Sequence, residues 1–235
     1  MGQRRLRVLA GCAVLAPAMV FAEVDHRMGL SVVQIHAYGG DARTFFGSGV
    51  VVGPDRVVTN CHVTRTAKAV VIAKGGMRFR ASSQRADAQH DLCLLEAPGL
   101  AVPSARLGSS SGLHVGDTVY FYGFPRAIGM AFSQGRVEAL HPFEGAQIIE
   151  TSADFTSGAS GGAIFDDGGR LTGLATFLPS GHSTHTFAIP IDWLQRVERL
   201  VAQPVAPFNG ASFWENPAGL PALLRVPDPK DAGAK

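Results

Sequence analysis

The sequence predicts an all-β fold, a sandwich or barrel of short strands in two packed halves. Three observations point there. Short runs rich in Val, Ile, Phe, Tyr and Thr recur along the chain, each bounded by Gly, Pro, Asp or Ser. Only one segment has a clear helical period. Once the apolar N-terminal segment is set aside, 213 residues remain, a length that suits one all-β domain and can bury a core without disulfide scaffolding.

The N-terminal segment carries Arg4, Arg5 and Arg7, then an apolar stretch from Val8 to Ala22. That is the form of a secretory signal peptide over residues 1–22, cut after Ala22. A membrane anchor is the rival reading, but the stretch is short for a span and holds Pro17. Leu9-Ala10-Gly11-Cys12 resembles a lipobox, with few apolar residues before the cysteine. Loss of residues 1–22 leaves 18 Lys+Arg against 19 Asp+Glu. The basic whole-chain balance therefore gives no reason to expect a nucleic-acid partner. The mature chain is expected in the periplasm or outside the cell, without membrane contact.

Strands are expected over Ser31–Ala37, Phe46–Val52, Arg56–Thr59, Val70–Ala73, Leu92–Glu96, Thr118–Tyr122, Ala131–Leu140, Gln147–Ser152, Leu171–Phe177 and Thr184–Ile189. Asp166-Asp167-Gly168-Gly169 between two apolar runs is a hairpin turn signal, and its acid spacing does not suit a calcium loop. Residues 97–116, rich in Pro, Gly and Ser, read as a linker between the halves. Asp192 opens the one helix, with Trp193, Leu194, Val197, Leu200 and Val201 at core-facing spacing and Pro204 as its stop. The tail 203–235 is Pro-rich but holds Phe208, Phe213, Trp214, Leu220, Leu223 and Leu224, too apolar for a purely solvated segment. Its first part is expected to pack across the halves, with disorder from Pro227.

Three segments carry residues fit for chemistry. Gly47-Ser48-Gly49 and the strands after it lead to Asn60-Cys61-His62. His90-Asp91 opens an alternating apolar run. Gly158-Ala159-Ser160-Gly161-Gly162 precedes another. A serine hydroxyl is a poor nucleophile until a base takes its proton, which a neutral imidazole can do near neutral pH. A buried carboxylate on the other ring nitrogen fixes the imidazole tautomer. Glycines let backbone N–H groups face a developing oxyanion, here those of Gly158 and Ser160. Each signal alone is weak. Together, the order His62, Asp91, Ser160 is that of chymotrypsin-type enzymes and differs from that of α/β-hydrolases and subtilisins.

On these motifs, with Gly173-Leu174-Ala175-Thr176 and Phe187-Ala188-Ile189-Pro190-Ile191-Asp192, the chain resembles trypsin-like serine peptidases, and most closely the bacterial HtrA/DegP-like protease domain. The resemblance runs from about Phe46 to the helix after Asp192. It implies two six-stranded antiparallel β-barrels with the site in the cleft between them, a protease domain over 23–202, and serine endopeptidase activity on proteins or peptides without a cofactor. It places Thr176 near the Asp91 carboxylate and makes Thr176, Phe177 and Leu178 the strand that pairs with substrate backbone. Asp154, six residues before Ser160, stands where an acid would select Arg or Lys. Phe155 could instead wall a small apolar pocket, or Asp154 could be a solvated loop acid.

Two departures from the family matter. Ala159 replaces the usual Asn or Asp before the serine, so activation by a newly cut N-terminus is not expected. Only 34 residues follow Val201, fewer than a PDZ domain needs. In the implied fold Asp91 must reach His62, and Cys93, two residues on, is expected to bond Cys61; two buried free thiols are the alternative. His182 and His185 have no evident third partner, so no metal site is expected. A protease scaffold without activity and an esterase remain as alternative functions.

Overall fold

The computed structural model describes residues 26–40, 43–156, 158–177 and 186–215, with Phe177 defined by its backbone. The predicted signal peptide, Leu178, His182, His185 and the tail from residue 216 lie outside them.

The first half holds β1 (Val32–Tyr38), β2 (Thr44–Gly53), β3 (Arg56–Asn60), β4 (Ala69–Lys74), β5 (Met77–Arg80), β6 (Ser83–Asp87) and β7 (Leu92–Glu96). These strands form a curved, open half-barrel in the order β6-β7-β3-β2-β1-β4-β5. A short β8 (Arg106–Leu107) follows in the linker. The second half holds β9 (Thr118–Gly123), β10 (Ala131–Phe143), β11 (Ala146–Thr151), β12 (Ala163–Asp166), β13 (Arg170–Phe177) and β14 (Thr186–Pro190). Pairing of β12 with β13 closes these six into a barrel. The predicted hairpin turn sits between β12 and β13, where Gly169 takes φ +69° and its N–H donates to Asp166 O at 2.9 Å.

β-branched residues fill the strands buried on both faces: Val50, Val51, Val57, Val58, Ile35 and Ile72 are almost wholly buried. Each such side chain stabilises the fold by about 1.5–3 kcal/mol relative to exposure. One cluster spans both halves, joining Val32, Val50, Val58, Leu92 and Leu94 to Tyr120, Tyr122, Phe165, Leu174 and Ile189. The two halves are therefore joined by a shared cluster, and each also holds a cluster of its own.

The linker is anchored rather than free. Its β8 runs parallel to β13, and Asp192 Oδ2 accepts from the Ser110 N–H at 2.8 Å. That bond occupies the carboxylate expected to open the helix. A 3₁₀ turn covers Ile191–Trp193, and the α-helix runs only over Leu194–Glu198. Trp193, Leu194 and Val197 are buried as expected, but Leu200 is 38% and Val201 77% exposed, because the helix ends before them.

Among the strands with no counterpart in those expected from the sequence are β5 (Met77-Arg78-Phe79-Arg80) and β6 (Ser83-Gln84-Arg85-Ala86-Asp87). β5 is the sheet edge, and β6 pairs on its outer side with the two-residue β15 (Gln203–Pro204). β6 is mostly polar, and the alternation of β5 runs over only four residues, too short to stand out.

Candidate active site

His62 lies on α1 (Cys61–Thr64), a single turn that follows β3 directly. Asp91 precedes β7 and is wholly buried. Its backbone is left-handed, φ +59°, a conformation that non-glycine residues rarely adopt. Three contacts hold it there. Its carbonyl accepts from the Cys61 N–H and from Asn60 Nδ2, both at 3.1 Å. A Cys61–Cys93 disulfide, with Cα atoms 4.9 Å apart, crosses the same two segments.

The β3–β7 register explains that bridge. Thr59 faces Cys93 and Asn60 faces Leu92, so Cys61 lies diagonally from Cys93. Strand alternation from Asp91 does not explain it, because Asp91 is outside the strand and left-handed.

The Asp91 carboxylate accepts four hydrogen bonds. Oδ1 takes the His62 backbone N–H at 2.9 Å. Oδ2 takes His62 Nδ1 at 2.8 Å, Thr176 Oγ1 at 2.7 Å and Trp214 Nε1 at 3.1 Å. With Nδ1 engaged, imidazole Nε2 is the nitrogen left to act as base.

Ser160 stands in the turn between β11 and β12. Gly158 and Gly161 take φ +88° and +83°. A Cβ on Gly161 would lie 2.1 Å from Ser48 O, so only glycine fits. The Ser160 carbonyl accepts from the Ser48 N–H at 2.7 Å, and Gly161 N–H donates to Ala175 O at 2.9 Å. The turn is thus tied to β2 of one half and β13 of the other. Ala159 is buried with Phe121 and Phe155, its N–H donating to Thr156 O at 3.0 Å. Ser160 Oγ donates to Thr176 O at 3.4 Å rather than to His62.

The expected specificity residues separate. Asp154 is exposed, its backbone carbonyl accepting from Ser133 Oγ at 2.6 Å. Phe155 is buried against Phe121, ring centroids 5.1 Å apart. Phe177 ends β13 opposite Phe187.

Other residues at the site are given no role by the sequence motifs. Arg65, one turn beyond His62, pairs with Glu215 through two bonds of 2.6 and 2.7 Å. Hydrogen bonds from Arg65 outweigh the opposing effect of burial and hold the Glu215 carboxyl down to about 2. Beside Asp91, His90 is buried with Nδ1 on Asp87 at 2.8 Å, and Nε2 3.0 Å from Glu144 and 2.8 Å from Arg196. Burial pushes the Asp87 carboxyl up, but its bonds and charge interaction with His90 prevail and leave it below the usual range.

Comparison with known proteins gives this arrangement a setting. Residues 47–174 match the family described as trypsin-like peptidase domain. The serine endoprotease DegS of Haemophilus influenzae is 33% identical over 66% of this chain and 49% of its own length. The chain spans between 22% and 49% of the length of the curated relatives compared. The solved structure of the HtrA-type protease AlgW with a tripeptide superposes with a TM-score of 0.65 at 28% identity, over 73% of this chain and 60% of that one. The Rv3671c protease from M. tuberculosis, in its active form, shares the fold with a TM-score of 0.72 at 23% identity, covering 88% of this chain and 99% of its own.

Proposed function

The chain belongs to the trypsin-like peptidase family, and on that premise we propose that it is a serine endopeptidase acting through His62, Asp91 and Ser160. The observation that carries the reading is the Asp91 carboxylate, which grips the imidazole at 2.8 Å through Nδ1 and the same residue's backbone N–H at 2.9 Å. That grip sets the tautomer a general base needs.

In the proposed reaction His62 Nε2 takes the Ser160 Oγ proton as Oγ attacks the scissile carbonyl carbon. The negative charge gathers on the former carbonyl oxygen, facing the N–H groups of Gly158 and Ser160. The C–N bond breaks, the imidazolium gives its proton to the leaving amine, and the acyl group stays on Oγ. Water, deprotonated by His62, then attacks the ester carbonyl; the C–Oγ bond breaks, the imidazolium returns its proton to Ser160 Oγ, and the acid leaves. Substrate backbone is read as lying along residues 176–178, with a peptide or protein as substrate. Asp154 and Phe155 remain the candidates for side-chain selection. The Cys61–Cys93 bridge and the basic-then-apolar N-terminal segment support an exported enzyme.

A binding scaffold without activity is the second reading, favoured by one observation: Ser160 Oγ points to Thr176 O. Rotation to another staggered χ1 well frees the hydroxyl. Casein cleavage by the purified protein, lost in Ser160→Ala, supports the peptidase. Cleavage retained by Ser160→Ala, or turnover of small esters alone, speaks against it.

A further inference from the structure

The Asp91 carboxylate receives one donor from far outside the matched family region. Trp214 Nε1 donates to Oδ2 at 3.1 Å, and the same indole meets the His62 ring edge to face, centroids 5.3 Å apart. One side chain therefore touches both partners of the His62–Asp91 pair. An indole N–H donates only, so it can orient the carboxylate but cannot take the imidazole's proton.

The segment bearing Trp214 is held by the same two stretches of chain that carry His62 and Asp91. Arg65, three residues after His62, binds Glu215 through two bonds and donates to Gly210 O at 2.9 Å. The Phe208 N–H donates to Arg65 O at 3.0 Å. On the other side the Phe213 N–H donates to Gln89 O at 2.9 Å, two residues before Asp91. Phe213 itself is buried between Phe143 and Trp193. Glu215 also accepts from the Ser212 N–H at 2.7 Å, closing the loop around Trp214. A hydrophobic residue on a solvated tail needs none of these bonds. Together they fix the indole against the pair.

We propose that Trp214 is a positioning residue: its N–H, with the Thr176 hydroxyl, sets the rotation of the Asp91 carboxylate, and its ring limits the tilt of His62. The inference rests on the reading of His62, Asp91 and Ser160 as the reacting group. Trp214 acts through Asp91 and His62, so its loss slows the chemical step and leaves substrate binding alone.

The test is Trp214→Phe, which keeps an aromatic ring and deletes the donor. Loss of one hydrogen bond to a charged group predicts a fall in kcat of about 10-fold, with KM within about 2-fold. A low-field proton NMR signal from the His62 Nδ1–H on Asp91 should move in the variant, whatever the substrate. If Trp214→Phe does not melt cooperatively, Arg65→Gln carries the test: it opens the clasp, keeps the indole, and should give a smaller fall in kcat with the same moved signal. An unmoved signal with unchanged kcat overturns the proposal. So does a joint drop in Tm, kcat and affinity with the signal unmoved, which marks a merely structural role. Labelling of wild-type Ser160 by a fluorophosphonate separates the two readings. A labelled wild type with an unaffected Trp214→Phe sinks this inference alone; an unlabelled wild type sinks the peptidase reading and this inference with it.

Discussion

The Ser48 N–H donates to the Ser160 carbonyl at 2.7 Å, which joins the proposed nucleophile's turn to a strand of the opposite half. Ser48 is completely buried and fully used: its carbonyl accepts from Thr59 Oγ1 at 2.7 Å and its hydroxyl from the Phe124 N–H at 2.8 Å. Ser48 thus ties its own half to two segments of the other, at Ser160 and at Phe124.

Gly161→Ala tests that joint. The added methyl would meet Ser48 O at 2.1 Å and a backbone at φ +83°. A loss of about 2–4 kcal/mol in stability is expected, with a larger proportional loss of activity than of fold. Urea unfolding and peptide turnover measure both. Wild-type values for both would show that the turn does not depend on this contact.

The Cys61–Cys93 bridge closes a loop over a sequence separation of 32. Constraining the unfolded chain this way is worth about 3–4 kcal/mol. The double variant Cys61→Ala/Cys93→Ala should have a correspondingly lower urea midpoint at neutral pH. Equal midpoints for the oxidised protein and the double variant would assign the bridge no stabilising role.

Glu215 gives a pH-dependent contribution of definite sign. Arg65 lowers its carboxyl from the ordinary 4.5 to about 2 in the folded protein. The contribution is present above pH 4.5 and fades as the pH falls toward 2. Allowing for partial exposure, it amounts to roughly 2–3 kcal/mol. The Tm difference between wild type and Glu215→Gln should be widest near neutral pH and close as the pH falls to about 3 and below. A difference that stays constant across that range would mean the ion pair does not stabilise the clasp.

The proposed triad of His62, Asp91 and Ser160 can be singled out from the sequence because each sits in a short segment with a suggestive pattern: a histidine just past a strand, an acid just before an apolar strand, a serine in a glycine turn. The strands with buried valines are legible for the same reason. β6 is not, since a mostly polar strand is defined by its partners' hydrogen bonds and not by its own pattern, and the four-residue alternation of β5 is too short to stand out. Leu200 and Val201 fit a helical stripe, but the α-helix ends at Glu198 and leaves them beyond it. Trp214 is visible only as an aromatic in a tail too apolar for solvent. Its bond to Asp91 crosses 123 residues, and no local signal carries a contact of that span.

The proposed chemistry stands or falls on Ser160 as a nucleophile activated by His62. A fluorophosphonate probe, followed by peptide mapping of the labelled protein, puts that to the proof. A single adduct on Ser160 is expected, with labelling slowed by several orders of magnitude in His62→Ala. Labelling at another residue, or labelling of Ser160 at the same rate without His62, would refute it.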